Sequence, residues 1–221
     1  MLTKFLKLLM AALAVFISCY AFRYLFGHRM FGLLQLKSEA LLMNLFWNIG
    51  FYTHIIPGGI ALLIGWIQFI KNIRTKKLIL HRTIGKIYVS AALVSSVGAI
   101  YIALYATGGI IASLGFMCIG IFWFYSTFKA YTSVRNGNID GHKTMVIYSY
   151  AACLAAVTLR FWLPLLAYIF QDFITAYLIV AWLCWIPNLL VAYYIIRRKQ
   201  MAGNTMLQPS AVLHSFGADA S

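Results

Sequence analysis

The sequence predicts an all-α polytopic membrane helix bundle of six transmembrane helices, and three observations support this. Of the 221 residues, 63% are hydrophobic and only 10% are charged, and the mean hydropathy is +0.85. A soluble domain could not bury so large an apolar fraction and still cover its surface with polar groups. Six apolar segments reach the length of about 20 residues that a helix needs to cross a bilayer. Lysine and arginine are concentrated in every second loop between these segments.

The predicted spans follow one another with little chain between them. They cover residues 5–26, 50–70, 83–106, 109–131, 143–168 and 173–196. Residues 1–200 therefore form a single six-helix membrane domain, and residues 201–221 form a polar cytoplasmic tail. Residues 27–49 mix apolar and polar side chains, so we expect an amphipathic segment on the outer surface. A cleaved signal peptide at the N-terminus is the alternative to a retained first helix.

The basic residues also set the predicted orientation and exclude one class of partner. They lie at the start of the chain and after spans two, four and six, so both termini are expected in the cytoplasm. The net charge of +14 does not indicate nucleic-acid binding, because the charges bracket apolar spans instead of forming one basic face. The expected partner is the lipid bilayer, and the pattern leaves the oligomeric state open.

Polar side chains inside the spans are the candidate site residues, because such groups are costly in a bilayer and usually face the bundle interior. One face of span two combines polar and small residues: His54, Gly58, Ala61, Gly65 and Gln68. This face is either a packing seam or the wall of a site. Arg160 lies deep in span five, in the same outer half of the membrane as His54. We therefore expect both to line one outer-leaflet pocket.

Two further histidines are predicted at the cytoplasmic mouth of the bundle. His81 precedes Arg82 at the entry of span three, and His142 lies at the entry of span five. Because they match in depth, they form a candidate pair of axial ligands for haem b. A second pair, His28 with His54, is available on the outer side. The neighbouring cations would meet haem propionates or lipid phosphates.

Span six contains Pro187 followed directly by Asn188. Proline should free a backbone carbonyl and kink the helix, so Asn188 either satisfies that kink or belongs to a site. The spans contain no carboxylate, which argues against paired-carboxylate catalysis and carboxylate-based proton coupling. No metal-ligand, nucleophile or dinucleotide motif occurs, and the four cysteines are expected to be small buried hydrophobes.

Several short motifs occur in a fixed order along the chain. They are His54 to Gly58, His81-Arg82-Thr83-Ile84-Gly85-Lys86-Ile87-Tyr88, Gly141-His142-Lys143-Thr144-Met145, Thr158-Leu159-Arg160, and residues 181–188. With these motifs, residues 50–195 resemble the bacterial membrane proteins grouped as domain of unknown function 2306. Lys143 and Thr144 stand where that family usually has Arg and Trp. The resemblance implies a location in the bacterial inner membrane and no established activity. Helix count and histidine placement are also distantly similar to transmembrane b-type cytochromes.

Three functions remain open from the sequence. The first is a redox or ligand-binding membrane protein that holds haem b or a quinone. The second is a small-solute transporter with an anion site centred on Arg160. The third is a non-catalytic membrane sensor or assembly factor whose glycine and alanine seams dock a partner. The candidate ligand or cofactor contacts are His54, His81, His142, Arg160, Arg82, Asn188 and Gln68.

Overall fold

A computed structural model describes residues 2–26 and 32–207, and it contains helices and no strand in this part of the chain. The all-α bundle predicted from the sequence is confirmed. Five helical stretches of the described chain are long and apolar enough to cross a membrane. They are Leu45–Phe69, Leu78–Ala103, Ile110–Arg135, Ile139–Phe170 and Phe173–Met201, and a shorter apolar helix covers Leu8–Tyr24. The count of six spans and the orientation of the termini stay predictions.

The described chain forms ten α-helices and two short 3-10 turns. The helices are α1 (Leu2–Phe26), α2 (Glu39–Met43), α3 (Leu45–Gly65), α4 (Lys71–Lys76), α5 (Leu78–Ala103), α6 (Ile110–Arg135), α7 (Ile139–Cys153), α8 (Ala155–Phe170), α9 (Phe173–Leu183) and α10 (Ile186–Leu207). The 3-10 turns are Gly32–Leu36 and Trp66–Phe69. Because α10 continues to Leu207, residues 201–207 of the predicted tail are helical. The remainder of that tail, 208–221, lies outside the described residues.

The sequence predicts one amphipathic segment over residues 27–49, and the described part of this segment contains three separate elements. After residues 27–31, which are not described, it consists of a 3-10 turn and α2, and α3 already begins at Leu45. Two N-caps explain these starts, because a side-chain oxygen that accepts from the first turn favours a helix beginning there. Ser38 Oγ accepts from the Leu41 backbone N–H, and Asn44 Oδ1 accepts from that of Trp47 at 3.0 Å.

Spans five and six of the prediction each consist of two helices. One break lies at Leu154 between α7 and α8, and the other lies between α9 and α10. Pro187 is in the first turn of α10, where its missing N–H costs no helical hydrogen bond. The Thr158 hydroxyl donates to the Cys184 carbonyl, and Asn188 Nδ2 donates to the same carbonyl at 3.1 Å. Asn188 therefore satisfies backbone at the break.

Close approach of α3 and α5 organises the centre of the bundle. A Cβ on Gly98 would lie 2.7 Å from the His54 backbone nitrogen and 2.8 Å from the Gly50 carbonyl oxygen. Only a residue without a side chain lets the two backbones meet at this distance. The main core extends from this contact to α1, α6 and α7, and includes Ala14, Leu62, Ala92, Trp123 and Tyr150.

The outside of the bundle is apolar, as a surface in contact with lipid requires. Large side chains such as Phe16, Ile121 and Leu190 are exposed there. The expectation that all four cysteines are buried is wrong for Cys19 and Cys118, which are exposed, whereas Cys153 and Cys184 are buried. Lipid is as apolar as a protein core, so hydrophobic sequence context alone could not separate the two environments.

Candidate functional site

A cavity of about 260 Å³ lies between α1, α3, α5, α6 and α8. Aromatic side chains form much of its wall: Trp47, Phe51, Phe116, Trp123 and Tyr177. Among the described residues, three basic side chains also line it, namely Lys37, His54 and Arg160, and no carboxylate does. Two of the residues that the sequence placed at similar depth, His54 and Arg160, therefore meet at one cavity. A few polar groups in an apolar concave wall are typical of a small-molecule site.

His54 is held against α5 by a reciprocal pair of hydrogen bonds. Its Nδ1 lies 3.1 Å from the Ser95 carbonyl oxygen and 3.1 Å from Ser95 Oγ. The Ser95 hydroxyl donates in return to the His54 carbonyl at 2.7 Å. His54 Nε2 has no hydrogen-bond partner among the described residues. The other predicted outer histidine, His28, lies outside those residues.

Glycines explain why the histidine and its partner can meet across two helices. A Cβ on Gly58 would lie 2.7 Å from Ser95 Oγ, so this position of α3 must be small to admit the hydroxyl. Gly98 on α5, one turn after Ser95, leaves room for the backbone of α3, because a Cβ there would lie 2.7 Å from the His54 backbone nitrogen. The four-residue spacing from His54 to Gly58 therefore has a structural reason. Gly58 leaves room for the Ser95 hydroxyl, and Ser95 in turn orients the His54 ring.

Arg160 is a largely buried cation that has no carboxylate partner in the part of the chain that the structure describes. Its Nη1 donates to the Ala156 carbonyl at 2.9 Å, and its Cζ lies 5.1 Å from the centroid of the Tyr20 ring. Among the described residues, Asp140 and Lys143 form the one ion pair, and this pair is exposed. A guanidinium has five N–H donors, so Arg160 keeps donors for a ligand. A buried cation is costly unless it is paired, and an electron-rich ligand would supply that pairing.

The segment that was predicted on the outer surface also lines the cavity. Leu33 and Leu34 of the first 3-10 turn contribute to the wall. Lys37 Nζ donates to the Tyr105 carbonyl and, at 3.1 Å, to Thr107 Oγ1 in the loop between α5 and α6. Partial burial lowers the pKa of Lys37 below its ordinary value. The two bonds tie this segment across the bundle.

The other predicted site residues lie away from this cavity. His81 and His142 are close enough for their rings to interact electrostatically. His142 Nδ1 donates to the Ala130 carbonyl at 2.9 Å, whereas His81 Nδ1 is buried with no partner in the described part of the chain. Gln68 is buried and its Nε2 donates to the His81 carbonyl at 3.4 Å. Arg82 is exposed. These four residues form a second polar cluster, which we call the inner cluster.

Comparison with known families identifies the chain. The family described as "Predicted membrane protein (DUF2306)" matches residues 51–196, about two thirds of the sequence. The chain belongs to the DUF2306 family. The resemblance found in the sequence motifs is thus confirmed, and the match does not support the likeness to b-type cytochromes. Neither curated proteins nor solved structures give a match.

Two residues at the candidate site were not predicted from the sequence. Ser95 on α5 and Lys37 in the segment before α2 were not among the candidate contacts that the sequence indicated. A serine within a membrane span usually bonds its own helix, so nothing in the sequence pointed from Ser95 to His54. The signal for Lys37 was available, because a lysine in a half-apolar segment beside the membrane needs polar partners.

Proposed function

We propose that this DUF2306 protein binds a small membrane-soluble molecule of the quinone class in the cavity. The observation that carries the proposal is Arg160, a cation in a largely apolar wall that has no carboxylate partner among the described residues. A quinone head group has a flat apolar ring that stacks on aromatic side chains and oxygen atoms that accept hydrogen bonds. Arg160 would donate to one such oxygen.

The size of the cavity supports a head group with a single ring. At about 30 Å³ for each water molecule, 260 Å³ has room for roughly nine waters. Ligand sites usually begin at about 300 Å³, so this cavity is just below that range and suits a small ligand. Trp47 and Trp123 on its wall would stack with such a ring or lie close to it.

The proposal is tested by titrating the protein in lipid nanodiscs with a short-chain benzoquinone and recording the quenching of tryptophan fluorescence. A charge-assisted hydrogen bond contributes about 1.5–3 kcal/mol. Arg160→Gln should therefore weaken binding by roughly 10- to 150-fold. Arg160→Lys should weaken it less, since the charge stays. Arg197→Gln is the matched control, because Arg197 donates to Tyr193 on α10 and is not part of the cavity wall. Equal affinities for Arg160→Gln and Arg197→Gln would refute the proposal.

Haem b at His81 and His142 fits the structure less well. A metal-bound histidine almost always donates its other ring N–H to an acceptor. His142 does so through the Ala130 carbonyl, but the buried Nδ1 of His81 has no acceptor among the described residues. The protein expressed with ample haem should therefore give a featureless visible spectrum, both oxidised and dithionite-reduced. A Soret band that sharpens on reduction and disappears in His81→Ala would move the function to the inner cluster.

The proposed setting is the inner membrane with both termini in the cytoplasm. Basic residues gather at the inner-cluster end of the bundle, where Lys71, Arg74 and Lys76 belong to α4 and Arg135 ends α6. By the positive-inside rule this end faces the cytoplasm, and the Lys37 end faces outward. Fusion of alkaline phosphatase and of a fluorescent protein to the C-terminus tests this. Active phosphatase would contradict the orientation.

A further inference from the structure

We infer that the cavity selects the hydroxyl-bearing, reduced form of its ligand, a hydroquinone, over the corresponding quinone. The inference rests on the proposed function and adds the chemical form of the ligand. Its basis is the hydrogen-bonding character of two of the polar side chains that line the cavity, His54 and Arg160. Arg160 can only donate, and His54 presents an acceptor.

The contact with Ser95 identifies the protonated nitrogen of His54. A backbone carbonyl oxygen can only accept a hydrogen bond, so Nδ1, which lies 3.1 Å from the Ser95 carbonyl oxygen, carries the proton. The Ser95 hydroxyl has one proton, and it points to the His54 carbonyl at 2.7 Å. Ser95 Oγ therefore also acts as an acceptor toward Nδ1. In a neutral imidazole only one nitrogen is protonated, so Nε2 has the free lone pair.

The surroundings of the ring favour its neutral form. His54 and Arg160 both line the cavity, and among the described residues no carboxylate lies on its wall to compensate a second positive charge. A second proton would place two cations together in an apolar space, which is costly. The lone pair on Nε2 is therefore the group that His54 offers to a ligand.

A hydroquinone matches both groups at once. One hydroxyl donates to His54 Nε2, and the oxygen of the other accepts from Arg160. A quinone has only acceptor oxygens, so its carbonyl would face the lone pair of Nε2 without a hydrogen bond. A polar site left unpaired in this way discriminates strongly against the ligand that lacks the donor.

Three probes test the inference in nanodiscs without oxygen: a short-chain hydroquinone, its quinone, and its dimethyl ether. The hydroquinone should bind about tenfold more tightly than the other two. In His54→Leu the three affinities should lie within about twofold of one another, because the acceptor is gone and Arg160 remains. His142→Leu is the matched control, since His142 has the same Nδ1-to-carbonyl bond and lies outside the cavity wall. It should keep the tenfold preference.

The outcomes separate the two proposals. If no probe binds, the proposed function and this inference both fail. If the probes bind with equal affinity to the unmodified protein, only the inference fails. If the ether binds weakly only because its methyl groups clash with the wall, it will also bind weakly to His54→Leu. That result would overturn the inference as well. Should His54→Leu fail to fold, nitrogen NMR of histidine-labelled protein gives an independent test. The resonances lost in His54→Gln should belong to a protonated Nδ1 and an unprotonated Nε2, and the opposite tautomer would contradict the inference.

Discussion

Replacing Gly98 with alanine should separate α3 from α5 and destabilise the protein by about 2 kcal/mol. The new Cβ would lie 2.7 Å from the His54 backbone nitrogen, against about 3.4 Å for an ordinary contact, so α3 must move away by about 0.7 Å. A movement of that size in the same direction lengthens the 3.1 Å bond from His54 Nδ1 to the Ser95 carbonyl to about 3.8 Å, which breaks it.

The expected loss of unfolding free energy in Gly98→Ala combines three effects. Overpacking in a tight core costs about 1–3 kcal/mol. Loss of the His54 bond costs about 1 kcal/mol. Alanine regains about 1 kcal/mol over glycine in a helix. The net destabilisation is therefore about 1–3 kcal/mol. Because the His54 ring loses its anchor, Gly98→Ala should also lose the preference for the hydroquinone.

Reversible unfolding by SDS in mixed micelles, followed by circular dichroism, measures this difference. Gly85→Ala is the matched control on the same helix, because its Cβ would meet Gln68 Oε1 at an ordinary 3.5 Å. That variant should be as stable as the parent or more stable by up to about 1 kcal/mol. Equal SDS midpoints for Gly98→Ala and Gly85→Ala would refute the reasoning, since they differ only in what the methyl group meets.

Three other contacts lead to measurable expectations. Tyr88→Phe removes a hydroxyl 2.7 Å from Ser149 Oγ in the core and should cost about 1 kcal/mol in the same SDS assay, and an unchanged midpoint would contradict this. The Thr175 hydroxyl and the first-turn N–H groups of α9 lower the pKa of Asp172. Its capping contribution should be complete above about pH 4 and disappear as the pH falls through the lowered pKa, so acid should destabilise the parent more than Asp172→Asn. Lys37→Met removes the bonds from this cavity-lining residue to the α5–α6 loop, and if the segment closes the cavity, stopped-flow should show several-fold faster dissociation of the proposed ligand. An unchanged rate would argue against closure by this segment.

The helical membrane class could be predicted from composition because hydrophobicity is summed over whole spans. About 20 apolar residues in succession leave a helix as the simplest way to satisfy the backbone in lipid. Local features were harder to place. The break near Leu154 has no proline or glycine at its centre, and the start of α3 depends on the Asn44 cap, whose strength hydropathy does not measure.

The candidate site was predicted only in part. The depth of each residue along its span follows from counting, which is why His54 and Arg160 could be assigned to one level of the membrane. Depth gives no information on which helices are neighbours. The sequence therefore also offered Asn188 as a site residue, whereas the structure shows it bonded to the backbone at the break between α9 and α10.

The sequence by itself determined that this chain is a membrane helix bundle, and which polar groups lie within its spans. Only the tertiary structure decided how those groups are used. His54 meets Ser95 across two helices, Arg160 meets Tyr20 of the first helix, and Lys37 reaches the α5–α6 loop. The physical reason is that hydrophobicity is a sum over single residues, whereas a hydrogen bond depends on the direction and distance between two of them. Helix packing alone sets these quantities.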